Sequence, residues 1–167
     1  LIDPESIRRA ITKKTRAIMP VQLNGRIADM EAIEEIAREN GLVIIEDAAQ
    51  ALGARYCGRS AGTFGLASGF SFYPAKTLGC FGDGGALVTN DDEVARKVRL
   101  MRDHGRNAEG EVELWGLNSR LDNLQAAILG FQLNHYDQIV SRRRAIASIY
   151  DNLLRDIDDV GLPPAPN

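Results

Sequence analysis

Ser68-Gly-Phe-Ser71-Phe-Tyr73-Pro-Ala-Lys76-Thr-Leu-Gly79-Cys-Phe-Gly82-Asp-Gly84-Gly85-Ala-Leu-Val-Thr-Asn90 reads as a strand, a lysine-bearing loop and a second strand. The aromatic-rich run near 69–73 stops at Pro74, which cannot donate to a sheet ladder. A single lysine follows, then closely spaced glycines, then the apolar run 85–89. Upstream, Leu42 to Glu46 is apolar without alternation, as in a strand covered on both faces. It leads into Glu46-Asp47-Ala-Ala-Gln50.

Helical patterns lie on either side of these strands. Asp3 can cap a first helix with Pro4 at its opening position and Ile7, Ala10 and Ile11 on one face. Arg16 to Leu23 reads as a short strand ended by Pro20, followed by an Asn24-Gly25 turn. Ala28 to Asn40 has Met30, Ile33, Ile36 and Ala37 at helical spacing, and Gly41 ends it. Arg55 to Gly65 is a polar, glycine-bearing loop. Asn90 and Glu93 suggest a capping box for a helix with the stripe Val94, Val98 and Met101, ended by His104-Gly105. After a loop over 107–117, Ser119 is expected to cap a long helix that buries Leu121, Leu124, Ile128 and Phe131. A last helix carries Ile139, Ile146, Ile149, Tyr150 and Leu153 on one side. Gly161-Leu-Pro-Pro-Ala-Pro reads as a linker.

Strands that alternate with helices predict an α/β domain: three layers, with a mostly parallel sheet flanked by helices. The length of 167 residues fits about one domain. Ligands of such sheets bind beyond the carboxyl ends of the strands. Asp47, Ser71 and Lys76 all fall there. A lysine and an aspartate at the ends of two strands are the parts of a pyridoxal phosphate (PLP) site, which pairs a Schiff-base lysine with an acid at the pyridine nitrogen. On a strand Glu46, the rival acid, points to the other side from Asp47.

Composition narrows the alternatives. A net charge of −3 and a sequence pI near 5.4 give no reason to expect nucleic acid or an anionic membrane. The basic run Arg142-Arg143-Arg144 reads as a solvated helix face. No apolar run approaches the roughly 20 residues that span a bilayer, and the first residues lack the pattern of a signal peptide. Cys57 and Cys80 form neither a metal spacing nor a disulfide framework. A cytoplasmic protein is the expectation. The loop Gly79 to Gly85 lacks the Lys-Ser/Thr ending of a nucleotide-binding P-loop.

Five segments carry a resemblance: Pro20-Val-Gln-Leu-Asn-Gly25, Glu46-Asp-Ala-Ala-Gln50, Phe70-Ser-Phe-Tyr-Pro-Ala-Lys76, Gly82-Asp-Gly-Gly85 and Gly116-Leu-Asn-Ser-Arg120. In order and spacing the chain resembles the DegT/StrS-type nucleotide-sugar aminotransferases, PLP enzymes of the aspartate aminotransferase fold. The resemblance implies the central and C-terminal part of a PLP-binding large domain over 1–158. Residues 159–167 would then lead toward a small C-terminal domain. The cofactor's phosphate loop and ring-stacking aromatic would lie in an N-terminal part outside this sequence.

Residue roles follow from the same resemblance. Lys76 would form the Schiff base and shuttle the proton, and lysine rather than histidine here favours transamination over sugar dehydration. Asp47 would face the pyridine nitrogen, Gln50 the phenolic oxygen and Ser71 the phosphate, with Ser68 as a rival hydroxyl. Asn118 would reach the phosphate in a neighbouring subunit, and Arg120 would hold the donor carboxylate or the sugar nucleotide. Both imply a homodimer with shared active sites. His104 is a candidate for substrate contact, for a helix cap or for the interface. The expected reaction moves an amino group, with glutamate as donor, to a keto sugar on a nucleotide. A non-catalytic interaction module, a PLP-dependent dehydratase and a nucleotide-binding domain without PLP stay open as alternatives.

Overall fold

The computed structural model describes residues 1–163. Six helices and strands of the first half lay down the sheet and one covering layer. Helix α1 (Pro4–Ala10) is capped by Asp3, whose carboxyl accepts from Ser6 N at 2.9 Å. Strand β1 (Ala17–Ile18) is short and stops before Pro20, as expected. Beyond Pro20 only Val21 rejoins the sheet, by an isolated bridge to Asp47. Helix α2 (Met30–Asn40) starts at the cap Asp29 rather than at Ala28, and Gly41 closes it at φ 60°. Strands β2 (Val43–Asp47), β5 (Ala67–Ser71) and β6 (Gly85–Val88) complete a sheet of order β1-β2-β5-β6. The first two pairings are parallel and the last is antiparallel. The chain is thus α/β with a mixed, mostly parallel sheet.

The main core lies between α1, α2 and one sheet face. Met30, Ile33 and Ile36 are fully buried there, with Ile7, Ile18, Ile44 and Phe64 around them. Each such side chain contributes roughly 1.5–3 kcal/mol of burial. The expected loop over 55–65 contains a small hairpin, β3 (Arg55–Tyr56) with β4 (Arg59–Ser60). Its two turn residues, Cys57 and Gly58, have φ 47° and 79°, the primed geometry that suits the twist of a hairpin. Arg59 pins it to α2 by a two-pronged pair with Glu34, both bonds 2.9 Å, and lies 4.2 Å above the Phe64 ring. The Tyr56 hydroxyl donates to Asp29, and burial first, then that bond, pushes its pKa up to about 12.

The second half departs from the sequence expectations at its helix starts and faces. Asp91, not Asn90, caps α3 (Asp92–Arg102), accepting from Val94 N at 2.8 Å. Glu93 makes no capping box; hydrogen bonds from Arg96 and then Lys97 hold its carboxyl down at about 2. Leu100 is the buried residue of α3, and Met101 is half exposed. Ser119 caps nothing: α4 (Asn123–Leu133) begins after Asp122. Its buried residue is Leu129, while Leu124 and Phe131 are 71% and 69% exposed. The reason is polar: Gln125 and Gln132 take the inward face, for the purpose described below. Along α5 (Tyr136–Leu154) the stripe Ile146, Ile149, Tyr150 and Leu153 is also uncovered. Residues 161–163 have no regular structure, and 164–167 of the expected linker lie outside the described residues. Among the described residues no helix is long and apolar enough to cross a membrane.

Candidate active site

The pleat of β2 and β5 separates two acids and two serines. Asp47 pairs in register with Gly69, and Glu46 with Ser68. Registered partners share a face, and the faces alternate along a strand. Glu46 and Ser68 therefore point into the α2 side, whereas Asp47, Gly69 and Ser71 share the opposite side. Glu46 is 1% exposed, and its carboxyl accepts from Phe64 N at 2.7 Å, Gly62 N at 3.0 Å and Gln22 Nε2 at 3.3 Å. The fully buried Ser68 hydroxyl donates to the Glu46 carbonyl at 3.2 Å. Both are consumed by structure.

The other face is open. One Asp47 oxygen accepts from Ala49 N at 3.1 Å; the other has no hydrogen bond among the described residues. Ser71 Oγ accepts from Tyr73 N at 3.2 Å, which leaves its proton to donate elsewhere. Between them Gly69 presents bare backbone, and a Cβ built there would meet nothing within 4 Å.

Lys76 follows Ser71 in a tight turn, with its N–H bonded to the Tyr73 carbonyl at 2.9 Å. The loop after it is clamped. Phe81 N donates to Gln125 Oε1 at 2.7 Å and Gly79 N to Gln132 Oε1 at 3.3 Å. These amides stand seven residues apart on α4, with Leu129 between them on the same face. Leu129 packs with Leu78 and Cys80 of the loop. A Cβ at position 79 would come within 2.7 Å of the Tyr73 carbonyl oxygen and 2.9 Å of that of Pro74, so only glycine fits. Cys80 is a buried filler whose thiol lies 3.0 Å from the Phe72 carbonyl. The apolar stripe of α4 masks the glutamines in the sequence; their signal is an amide spacing that matches a buried leucine.

Lys76, Ser71 and Gln50 line one cleft of about 550 Å³, together with Asn24, Tyr73 and Arg143. Gln50 Oε1 accepts from Asn24 N at 2.8 Å, which turns its amide N–H groups toward any acceptor in the cleft. A hydroxyl donor, an amide donor and an amine thus line the cleft; Asp47 does not line it, but its acceptor carboxyl shares the open sheet face with Gly69 and Ser71. That set fits a planar phosphorylated pyridine: Ser71 for phosphate oxygen, Gln50 for a ring oxygen, Asp47 for a ring N–H, Lys76 for a carbonyl.

Three candidates lie elsewhere. Asn118, Arg120 and His104 belong to the segment after α3, where Asp103 bridges to Asn118. Arg120 donates to Asp103 at 3.0 Å and to Asn118 at 3.2 Å. This exposed ion pair is worth little by itself. His104 is exposed, at φ 57°, with its N–H on the Leu117 carbonyl at 2.9 Å. None of the three lines the Lys76 cleft of the same chain.

The whole of residues 1–167 matches the DegT/DnrJ/EryC1/StrS aminotransferase family. The chain is 49% identical over 162 residues to the dTDP-3-amino-3,4,6-trideoxy-alpha-D-glucose transaminase of Streptomyces venezuelae, covering 97% of this chain and 43% of that protein. Among solved structures it superposes on S. venezuelae DesV in complex with a ketimine intermediate, with TM-score 0.93 and 48% identity, over 99% of this chain and 45% of the other. Bacillus subtilis NtdA with bound cofactor PMP gives TM-score 0.83 and 34% identity, over 99% and 38%. The chain therefore spans less than half the length of the relatives that it matches. Its family match over residues 1–167, its fold and its identity to these proteins agree: this chain belongs to the DegT/DnrJ/EryC1/StrS aminotransferase family.

Proposed function

We propose that residues 1–158 are the central and C-terminal part of the PLP-binding domain of a nucleotide-sugar aminotransferase. The observation that carries this is the shared open face: Asp47 and Ser71 flank bare Gly69, and Lys76 and Gln50 close the cleft beside it. Bound pyridoxal phosphate supplies the electron-withdrawing ring on which an amino group is carried from donor to acceptor. Asp47 orients and polarises that ring through its nitrogen. Ser71 and Gln50 fix its two polar edges by hydrogen bonds. Among the described residues that line the cleft, Lys76 has the one primary amine. Its Nζ anchors the cofactor and takes the proton from the donor's Cα, then returns one to the acceptor carbon. The Gln125 and Gln132 clamps keep that amine in place, since such steps tolerate little misplacement.

The acceptor is a keto sugar on a nucleoside diphosphate, as the dTDP-sugar transaminase of Streptomyces venezuelae suggests. The donor is an amino acid, with glutamate as our choice, and the setting is the cytoplasm. Asn118 and Arg120 do not line their own Lys76 cleft, which supports their serving a second copy in a homodimer with shared sites. The test uses the full-length protein with PLP, glutamate and dTDP- or UDP-linked keto sugars, with the amino sugar read by mass. Amination that vanishes in Lys76→Ala supports the reading. A folded, PLP-loaded protein that dehydrates the sugar without aminating it would replace it with the dehydratase reading.

A further inference from the structure

Helix α5 brings a charge into the cleft that neither the motifs nor the family match accounts for. The run Arg142-Arg143-Arg144 radiates around the helix, because consecutive residues are about 100° apart. Tyr136 and Arg143, seven residues apart, share a face. Tyr136 is anchored: its hydroxyl donates to the Leu52 carbonyl at 2.8 Å, and burial pushes its pKa up against the smaller pull of Arg143. Leu52 itself lines the Lys76 cleft. The anchor thus fixes which face of α5 meets the cleft, and Arg143 is the member of the run that lines it beside Lys76, Gln50 and Ser71.

Arg143 is exposed. Among the described residues it makes no hydrogen bond and no ion pair, whereas Arg8, Arg59, Arg96 and Arg120 all hold carboxylates. Ser71 and Gln50 are matched to the cofactor, which leaves Arg143 as the cleft's other cationic side chain beside Lys76. A guanidinium fork suits a carboxylate or a phosphate, which it can engage with two parallel bonds. Resting on the aminotransferase reading, we infer that Arg143 is a substrate-anion residue acting in the same chain as its Lys76. Its ligand is an oxyanion, either the carboxylate of the amino donor or the diphosphate of the sugar nucleotide.

The experiment compares Arg143→Gln, Arg143→Lys and the control Arg142→Gln in the full-length protein. Cofactor absorbance is recorded first, then KM for glutamate and for the nucleotide sugar, and calorimetric Kd for dTDP and UDP. Arg143→Gln is expected to keep the absorbance and to raise one set of constants about 10- to 100-fold, the worth of a charged hydrogen-bonded pair. Arg143→Lys should fall between, and Arg142→Gln should match the parent. A rise for glutamate alone identifies the carboxylate; a rise for the nucleotides alone identifies the diphosphate. Unchanged constants, or losses equal to those of Arg142→Gln, overturn the inference and leave the aminotransferase reading intact. Should Arg143→Gln not fold, Arg143→Lys decides: unchanged constants there overturn the inference. A parent protein that never aminates the sugar sinks the enzyme reading, and the dTDP and UDP titrations still judge Arg143.

Discussion

The two faces of the β2–β5 pair contain nearly the same chemistry and use it in opposite ways. On the α2 side Glu46 and Ser68 are buried, and their polar groups are bonded to protein. On the other side Asp47 and Ser71 stand around bare Gly69 with hydrogen-bonding capacity to spare. The adjacent acids Glu46 and Asp47, and the serines Ser68 and Ser71 three residues apart, are divided between the faces by the pleat. Structural and chemical duties are kept apart by a period of two.

The contrast can be broken most forcefully at the two acids. Glu46→Ala strips the acceptor from two backbone N–H groups in the core and leaves a cavity. It should cost about 3 kcal/mol or more in urea unfolding of the full-length protein. Asp47→Asn should stay within about 1 kcal/mol of the parent while turnover falls at least about 100-fold, the scale of losing one electrostatic contact at a reacting centre. Equal destabilisation by both would end the division of labour.

Gly69→Val sharpens the comparison next. The strand accepts a β-branched residue, and its Cβ meets nothing in the protein. Stability should hold or rise slightly, while PLP affinity, read by absorbance titration, should drop at least about tenfold, because the methyls occupy the open face. Undiminished affinity would place the ring elsewhere. The serines come after. Ser71→Ala should weaken PLP about 10-fold, as loss of a hydrogen bond to a charged group does, with stability unchanged. Ser68→Ala should do the reverse, costing about 1 kcal/mol and leaving affinity alone.

The smallest effects belong to the clamp. Gln125→Ala and Gln132→Ala should each cost about 1 kcal/mol, with Gln125 the larger since its bond is 2.7 Å against 3.3 Å. Both should slow turnover more than they weaken PLP binding, measured by separate kinetic and spectral titrations.

Much of this was legible in the sequence. The two-residue period of any strand already set Asp47 against Glu46, and Pro74 with its glycines marked the Lys76 loop. Ser71 against Ser68 needed the β2–β5 register, a nonlocal fact. The glutamines escaped because their partners are backbone N–H groups more than 40 residues away in the chain. The Leu124 and Phe131 expectation failed for the same reason: an apolar residue on a helix tells that some surface covers it, and within the described residues nothing covers these two well. The helix starts fall at Asp91 and Asp122 rather than Asn90 and Ser119, since Asp, Asn and Ser all favour such positions.

One observation bears on all of it. The full-length protein is loaded with PLP, its visible spectrum recorded, then reduced with borohydride and digested, and the modified peptide is located by mass. A pyridoxyl group on Lys76, absent from Lys76→Ala, is the result that this reading predicts. A folded protein that takes no cofactor, or that is modified at another lysine, would contradict it.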